Sequence, residues 1–495
     1  MLLPTLLLAL SVNALPAPQE ETSPPELPAL QHSVDATVQA QGKTIEYRAS
    51  LKDYDILGED GATRAHFAAF EYLVEGAPAT RPVTFAFNGG PGSSSIWLHM
   101  GLLGPRHVVV PSDAQNAGAP PYPVLPNPHT LLTHSDLVFV DPVGTGFSRA
   151  VGEATNKDFW GVDEDVASVS HFIREWLTRN ERWGSPKYVL GESYGGVRGA
   201  LVAEALKQGN SSVALNGLVF ISPAFDIQFV DGMEDDLTYA TSLLTYAVTA
   251  AYHGAVEAPA SGPQRERWEA AVREFAGGPY LRALFAGSTL EASERESIVL
   301  GLSSYTGLSR EYWRRSNLRV TASRFRKELL RERGLVLGRL DMRYAGEDID
   351  GVGDEPDSDP MFSAIGSAYN AGFRDYLSSE FKLNLPGRDY NVSASGAFGA
   401  WNRSAAGREA FSGWLDTVPA LAGSMRDNPE LRVFCGNGWY DVATTVHAAE
   451  YNLSRPGIDP SRVVIKNYPA GHMMYVNQKS LEDLAADLRA FYEVK

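Results

Sequence analysis

The sequence predicts an α/β protein with a mostly parallel central sheet and helices on both of its faces. Short apolar runs typical of buried strands occur at Val83–Phe87, Asp136–Val140 and 187–190, and helical spacing occurs between them, as at 158–180. Alternation of strands and helices indicates a parallel sheet. Because 495 residues exceed what one hydrophobic core usually holds, we expect either two domains or one large domain with an insertion.

Composition and charge restrict the possible partners. The net charge of −17 argues against nucleic acid, whose binding requires a basic surface. Beyond the N-terminus, no apolar run approaches the length of about 18 residues that a membrane-spanning helix needs, so no membrane span is expected.

The N-terminal residues resemble an export signal. Residues 1–14 form a leucine-rich run that ends in a small-residue cleavage pattern, although they lack the usual Lys or Arg. We interpret them as a signal peptide rather than a buried strand and expect a secreted or periplasmic protein. Residues 15–32 are rich in Pro and Glu and are predicted to be disordered.

The remaining chain divides into three segments. Residues 33–226 and 386–495 carry the strand signals and are predicted to form the two parts of the core. Residues 227–385 have helical patterns without clear strands, and we expect them to form a helical insertion that caps the carboxyl edge of the sheet. The acidic stretch 346–359 is interpreted as a solvated loop, since its spacing does not fit an EF-hand.

Ser193 is the strongest candidate nucleophile. It lies in G-E-S-Y-G at 191–195, directly after an apolar strand at 188–190 and before a helical pattern. A sharp strand-to-helix turn with glycines on either side exposes the serine hydroxyl, as in the α/β-hydrolase fold. The alternative is a purely structural turn.

A serine nucleophile requires a histidine base and an acid, which follow in the order Ser, Asp or Glu, His in this fold. His472 follows the last strand signal, at 462–467, and is therefore the expected base. Asp441, on a loop directly after the strand at 431–435, and Asp226, one strand earlier, are the two candidate acids.

Other candidate groups have simpler interpretations. His99 and His447 fit the chain order less well than His472, although either could line the cleft. Cys435 is the only cysteine, which excludes an internal disulfide, and its apolar surroundings indicate packing rather than catalysis. The Gly-rich loop 88–95 lacks the G-K-[ST] of a phosphate loop and suits close backbone approach to a reacting group.

Several motifs together resemble the serine carboxypeptidase family. They are N-G-G-P-G-S-S-S at 88–95, the segment 127–148 ending in D-P-V-G-T-G-F-S, G-E-S-Y-G-G at 191–196, G-W-Y-D-V-A-T at 438–444 and G-H-M at 471–473. The motifs occur in the family's order, and the segment between the third and fourth is not assignable by motif.

The resemblance implies release of the C-terminal residue of a peptide through an acyl-enzyme. By motif position, Ser193 matches the nucleophile, Asp441 the acid and His472 the base, and the backbone N–H groups of Gly90 and Tyr194 match the oxyanion hole. The expected partners are peptides with a free C-terminus, and neither a cofactor nor a metal is expected.

The resemblance also implies that Asn88 and Glu192 hold the carboxylate of the substrate. A carboxyl group can do this only when it is protonated, so burial of Glu192 would favour activity at acidic pH. Leu102 stands where many members have a second acidic residue, which weakens that expectation. Ser93 replaces the family's cysteine. The simpler alternative for Glu192 is a cap at the start of the helix.

The sequence thus predicts an exported serine carboxypeptidase with an α/β-hydrolase fold. An acyltransferase or esterase that uses the same three residues is the alternative among enzymes. A non-catalytic binding protein would require a decayed triad, and all three residues are present.

Overall fold

The computed structural model describes residues 29–230, 235–403 and 415–494. The predicted signal peptide at 1–14 and most of the predicted disordered segment at 15–32 lie outside these ranges. The last residues of that segment are ordered, because the first strand begins at Gln31.

Fourteen strands are present in the described ranges. They are β1 (Gln31–Ala40), β2 (Lys43–Leu57), β3 (Thr63–Val74), β4 (Val83–Phe87), β5 (Arg106–Val108), β6 (Val124–Pro126), β7 (Asp136–Val140), β8 (Arg149–Ala150), β9 (Lys187–Glu192), β10 (Gly217–Ile221), β11 (Leu335–Leu337), β12 (Ala345–Glu347), β13 (Arg432–Gly438) and β14 (Val463–Tyr468).

The described ranges also contain fourteen α-helices. They are α1 (Ile96–Leu98), α2 (Val162–Arg179), α3 (Gly195–Leu206), α4 (Asp236–Tyr252), α5 (Gly262–Phe275), α6 (Leu281–Ala286), α7 (Ala292–Thr306), α8 (Arg310–Arg315), α9 (Ala322–Glu328), α10 (Pro360–Ser379), α11 (Ala397–Ala400), α12 (Val418–Asp427), α13 (Val446–Leu453) and α14 (Gln478–Glu493).

One large mixed sheet forms the centre of the molecule. Its strand order is β1-β2-β3-β7-β4-β9-β10-β13-β14, and β8 pairs with β3. From β7 to β14 all neighbours are parallel, whereas β1, β2 and β3 pair antiparallel with one another and with β7. The predicted α/β-hydrolase fold, with its mostly parallel sheet, is confirmed.

The sheet is buried on both faces because successive residues of a strand point to opposite sides. Val189 of β9 packs in one hydrophobic cluster and Leu190 in the other, and Val433 and Phe434 of β13 divide in the same way. Helices α2, α3, α12 and α13 cover the face of Val189, and α1, α10 and α14 cover the opposite face.

A third cluster forms inside the predicted insertion. Helices α4 to α9 pack around side chains such as Trp313 and Val299, and this cluster reaches Val442 and Val446 beside the sheet. The short β11–β12 hairpin was not predicted. Helix α10 lies within the predicted insertion limits but packs with the sheet, so the insertion limits stay a prediction.

None of the helices within the described ranges is both long and apolar enough to cross a bilayer.

Candidate active site

Ser193 occupies a strained turn between β9 and α3. Its backbone φ is +61°, in the left-handed region that non-glycine residues rarely adopt. The turn is tight enough that a Cβ on Gly191 would lie 2.1 Å from the carbonyl oxygen of Gly195. The Ser193 N–H donates to Ile221 O at the end of β10 (3.0 Å), which fixes the turn to the sheet.

The predicted base and acid form a direct pair on the loops after β14 and β13. His472 Nδ1 lies 2.6 Å from Asp441 Oδ2. Asp441 Oδ1 accepts hydrogen bonds from the N–H groups of Ala443 (2.8 Å) and Thr444 (3.2 Å), so the carboxylate is held in place. Burial lowers the pKa of His472, but the Asp441 carboxylate and the charge of Glu192 together raise that pKa above its usual value.

Ser222, directly after β10, contacts the two loops that carry this pair. Its hydroxyl donates to His472 O (2.8 Å), and its carbonyl oxygen accepts from Thr444 Oγ1 (2.8 Å). Within the described ranges, no hydrogen bond joins Ser193 Oγ to His472, and such bonds often tighten only when substrate binds.

Gly90 and Tyr194 line the same cavity of about 250 Å³ as Ser193. The Gly-rich loop comes close to the turn, since a Cβ on Gly89 would lie 2.4 Å from the Tyr194 nitrogen. The structure therefore places both predicted oxyanion donors beside the serine.

Glu192 and Asn88 are also brought together. Asn88 Nδ2 donates to Glu192 Oε1 (2.9 Å), and the hydroxyl of Tyr475 donates to Glu192 Oε2 (2.8 Å). The Glu192 side chain is buried, which raises its pKa to about 7 although His472, Tyr475 and Asn88 act to lower it. A group of this kind can exist as a neutral acid near neutral pH.

The alternative candidates lie elsewhere. Asp226 caps a short turn by accepting from Gln228 N (3.0 Å) and lies 3.6 Å from Arg455. His99 is buried, with Nε2 2.6 Å from the Tyr72 hydroxyl, and burial lowers its pKa to about 3. Neither group pairs with His472 or Asp441.

Cys435 and Leu102 are both fully buried. Burial raises the pKa of the Cys435 thiol above its usual value, which disfavours the reactive thiolate. No cluster of three or more His, Cys, Asp or Glu residues suited to a metal occurs among the residues that the structure describes.

The sequence did not identify four residues that contact this site, namely Ser222, Asp341, Thr444 and Tyr475. Thr444 and Tyr475 each lie three residues beyond a predicted site residue, which is the only signal that would have indicated them. Asp341 lies far away in the sequence, and its Oδ2 accepts from Gly471 N, directly before the predicted base (3.0 Å).

Comparisons with known proteins show similarity to serine carboxypeptidases in sequence and in fold. A family model described as serine carboxypeptidase matches residues 52–275. Serine carboxypeptidase-like 16 of Arabidopsis thaliana is 30% identical over 184 residues, which cover 33% of this chain and 40% of the relative. Serine carboxypeptidase-like 5 of the same plant is 31% identical over 148 residues, covering 28% of this chain and 32% of the relative.

A solved structure extends the likeness to most of the fold. The yeast (Saccharomyces cerevisiae) protein Kex1(delta)p, a prohormone-processing carboxypeptidase, superposes with a TM-score of 0.53 at 17% identity, covering 90% of this chain and 91% of the yeast chain. At this identity the likeness concerns the fold alone.

The fold is that of the α/β-hydrolases, and the roles of Ser193, Asp441 and His472 stay predictions. Over residues 52–275 the chain is similar to the serine carboxypeptidase family. It matches 40% or less of the length of these two plant relatives.

Proposed function

We propose that the protein is a serine carboxypeptidase that removes the C-terminal residue of peptides. The observation that carries the proposal is the buried carboxyl of Glu192, directly before the candidate nucleophile and hydrogen-bonded to Asn88. Ordinary serine hydrolysis does not need a second, neutral acid at this position, whereas recognition of a free carboxylate does.

The chemistry follows from the pair described above. His472 takes the proton of Ser193 Oγ as the oxygen attacks the scissile carbonyl, and then gives that proton to the leaving amino group. Asp441 keeps the imidazole in the required tautomer and stabilises its charged form. Water then attacks the acyl-enzyme, again with His472 as the base, and releases the shortened peptide.

The backbone N–H groups of Gly90 and Tyr194 stabilise the oxyanion that forms at each step. Loss of one such donor typically costs about 10²–10³ in rate. The proposal is supported by their common cavity with Ser193.

Asn88 and neutral Glu192 bind the substrate's terminal carboxylate. The raised pKa of Glu192, about 7, allows this below neutral pH. His472 must be neutral to act as a base, and its pKa is also raised. We therefore expect a bell-shaped dependence of kcat/KM on pH for free-acid peptides, with loss of the His472 proton on the acid side and of the Glu192 proton on the alkaline side.

The cavity beside the nucleophile is suited to the side chain that precedes the scissile bond. Ile227, Trp401 and Leu415 give it an apolar lining, and Arg339 and Arg403 add positive charge. We expect large apolar side chains to be preferred there and basic ones to be disfavoured.

We also propose that the protein is exported, with cleavage after the leucine-rich segment 1–14. N-terminal sequencing of the protein recovered from its host tests this, and a mature chain that retains residues 1–14 would contradict it.

Hydrolysis of an N-blocked dipeptide with a free C-terminus tests the proposed activity. The wild type should release the C-terminal amino acid, and Ser193→Ala should lose about 10⁴-fold or more in kcat without loss of folding. Ser211→Ala, at an exposed serine, is the matched control. Hydrolysis of simple esters without any free-acid peptide hydrolysis would contradict a carboxypeptidase, and transfer of the acyl group to an added alcohol in preference to water would favour the acyltransferase alternative.

A further inference from the structure

Tyr475 contacts the candidate carboxylate site from the loop that carries the predicted base. Its hydroxyl donates to Glu192 Oε2 (2.8 Å), and only 3% of the residue is exposed. The residue lies in the short 3₁₀ turn Met474–Val476, directly after the segment of His472. The loop after β14 therefore carries both His472, the predicted base, and Tyr475, which contacts Glu192 beside the candidate nucleophile.

A glycine makes room for this ring. A Cβ on Gly101 would lie 2.4 Å from two ring atoms of Tyr475 and 2.8 Å from the hydroxyl of Tyr369. Gly101 precedes Leu102, which supplies no acid to the site. The ring of Tyr475 lies against Gly101, and its hydroxyl contacts Glu192. The second polar partner of Glu192 therefore comes from the loop after β14 and not from position 102.

A phenol and a carboxyl group differ as partners for Glu192. A second carboxyl would share a proton with Glu192 and would itself titrate at acidic pH. The Tyr475 hydroxyl keeps its proton, because burial raises its pKa well above the usual value. It therefore remains a hydrogen-bond donor through the pH range in which Glu192 titrates.

The groups that face Glu192 come from four elements. Asn88 and Tyr475 donate to its two oxygens, and His472 favours its charged form. The charge of Asp441 opposes ionisation, and Tyr369 of α10 also interacts with Glu192. Of the two groups that hydrogen-bond to Glu192, Asn88 was expected from the sequence and Tyr475 was not.

We propose that Tyr475 is a positioning residue for Glu192 and sets the upper pH limit of carboxylate recognition. The inference rests on the proposed function. Donation of a hydrogen bond to Glu192 Oε2 stabilises the ionised carboxylate, so Tyr475 holds the pH limit lower than burial alone would set it. The same bond fixes the orientation of the carboxyl group towards the site where the substrate would bind.

The test is the pH dependence of kcat/KM for Tyr475→Phe with a free-acid dipeptide and with its C-terminal amide. Without the hydroxyl, Glu192 should keep its proton to higher pH, and the alkaline limit for the free acid should rise by about one pH unit. The amide has no carboxylate to recognise, so its profile should not move. Tyr280→Phe is the control, because this buried tyrosine donates to Leu318 O (2.6 Å) within the insertion.

If Tyr475→Phe does not fold, the same pH dependence can be measured with a second variant. Site-specific 3,5-difluorotyrosine at position 475 keeps the ring and strengthens donation, so it should move the alkaline limit for the free acid to lower pH. An unchanged limit in the folded variants, or an equal movement for the amide, would overturn the role of Tyr475. Absence of free-acid hydrolysis in the wild type would instead overturn the proposed function, and this inference with it.

Discussion

The carboxyl group of Glu192 is held between two hydrogen-bond donors in surroundings that exclude water. Asn88 and Tyr475 favour its ionised form, whereas burial favours the neutral form and has the larger effect, so the pKa rises to about 7. Below that pH the neutral acid can donate a hydrogen bond to a substrate carboxylate. At higher pH two like charges would repel each other there.

A raised pKa also makes the stability of the protein depend on pH. Below about pH 4.5 Glu192 is neutral in both the folded and the unfolded states, and the folded state loses stability as pH rises through about 7. Between about pH 4 and about pH 8, Glu192→Gln should therefore gain about 3 kcal/mol in unfolding free energy relative to the wild type.

Urea unfolding of both proteins at the two pH values measures this difference, since all other titrating groups are common to both. Glu153→Gln, at an exposed glutamate, controls for the loss of a carboxyl group. A Glu192→Gln difference that stays constant with pH would show that Glu192 is not held as a buried neutral acid.

The motifs and their order along the chain were sufficient to predict four individual site residues, namely Asn88, Glu192, Asp441 and His472. The structure brings these groups into contact as two pairs, while their catalytic roles stay predictions. Tyr475 could not be predicted, because its contact depends on the path of the turn after His472 and on the space left by Gly101.

The strand–turn–helix element around Ser193 illustrates how little space this geometry allows. A Cβ on Gly191 would lie 2.1 Å from Gly195 O, which is backbone and cannot rotate away. Ser193 adopts a left-handed conformation in this turn, and only two residues separate the end of β9 from Gly195, the first residue of α3.

Gly191→Ala should therefore displace the start of α3 and the serine with it. A misplacement of about 1 Å typically costs about 10²-fold in rate, so kcat/KM should fall by about that factor. Gly184→Ala is the control, because no atom lies within 4 Å of a Cβ at that position. Steady-state kinetics and thermal unfolding of both variants check the prediction, which wild-type kinetics in Gly191→Ala would refute.

The elements that sequence patterns predicted well are those with strong local signals. The limits of β4 and β7 agree with the apolar runs. The β11–β12 hairpin and helix α10 were missed. The strands of that hairpin are three residues long, and α10 contains two glycines that weaken a helical pattern.

At the scale of the whole molecule, the segment 339–343 of the predicted insertion contacts the loops that carry the predicted acid and base. His472 N donates to Leu340 O (2.6 Å), and Gly471 N donates to Asp341 Oδ2 (3.0 Å). On the other side Met342 N donates to Tyr440 O (2.9 Å), directly before the predicted acid. Segment 339–343, within the predicted insertion, is thus hydrogen-bonded to the loops of both the predicted acid and the predicted base.

Asp341→Ala should lower both stability and activity. Asp341 forms a buried ion pair with Arg343 (2.5 Å), and removal of one partner of such a pair costs about 3–5 kcal/mol. Because the Gly471 N–H also loses its acceptor, kcat of the folded enzyme should fall by about 10- to 100-fold.

The matched control is Asp348→Ala, which breaks another buried ion pair of the insertion, with Lys327. It should reduce stability without changing kcat of the folded enzyme. Equal effects of both substitutions on kcat would show that Asp341 acts through general stability rather than through the base loop.

By the proposed function, Glu192, directly before the candidate nucleophile, makes this protein a carboxypeptidase. The most direct test is the ratio of kcat/KM for a free-acid peptide to that for its C-terminal amide, measured from about pH 4 to about pH 9 in the wild type and in Glu192→Gln. In the wild type this ratio should fall about tenfold per pH unit above the Glu192 pKa of about 7. In Glu192→Gln, whose amide cannot ionise, it should not depend on pH. A pH-independent ratio in the wild type, or the same fall in both proteins, would contradict recognition of the substrate carboxylate by Glu192.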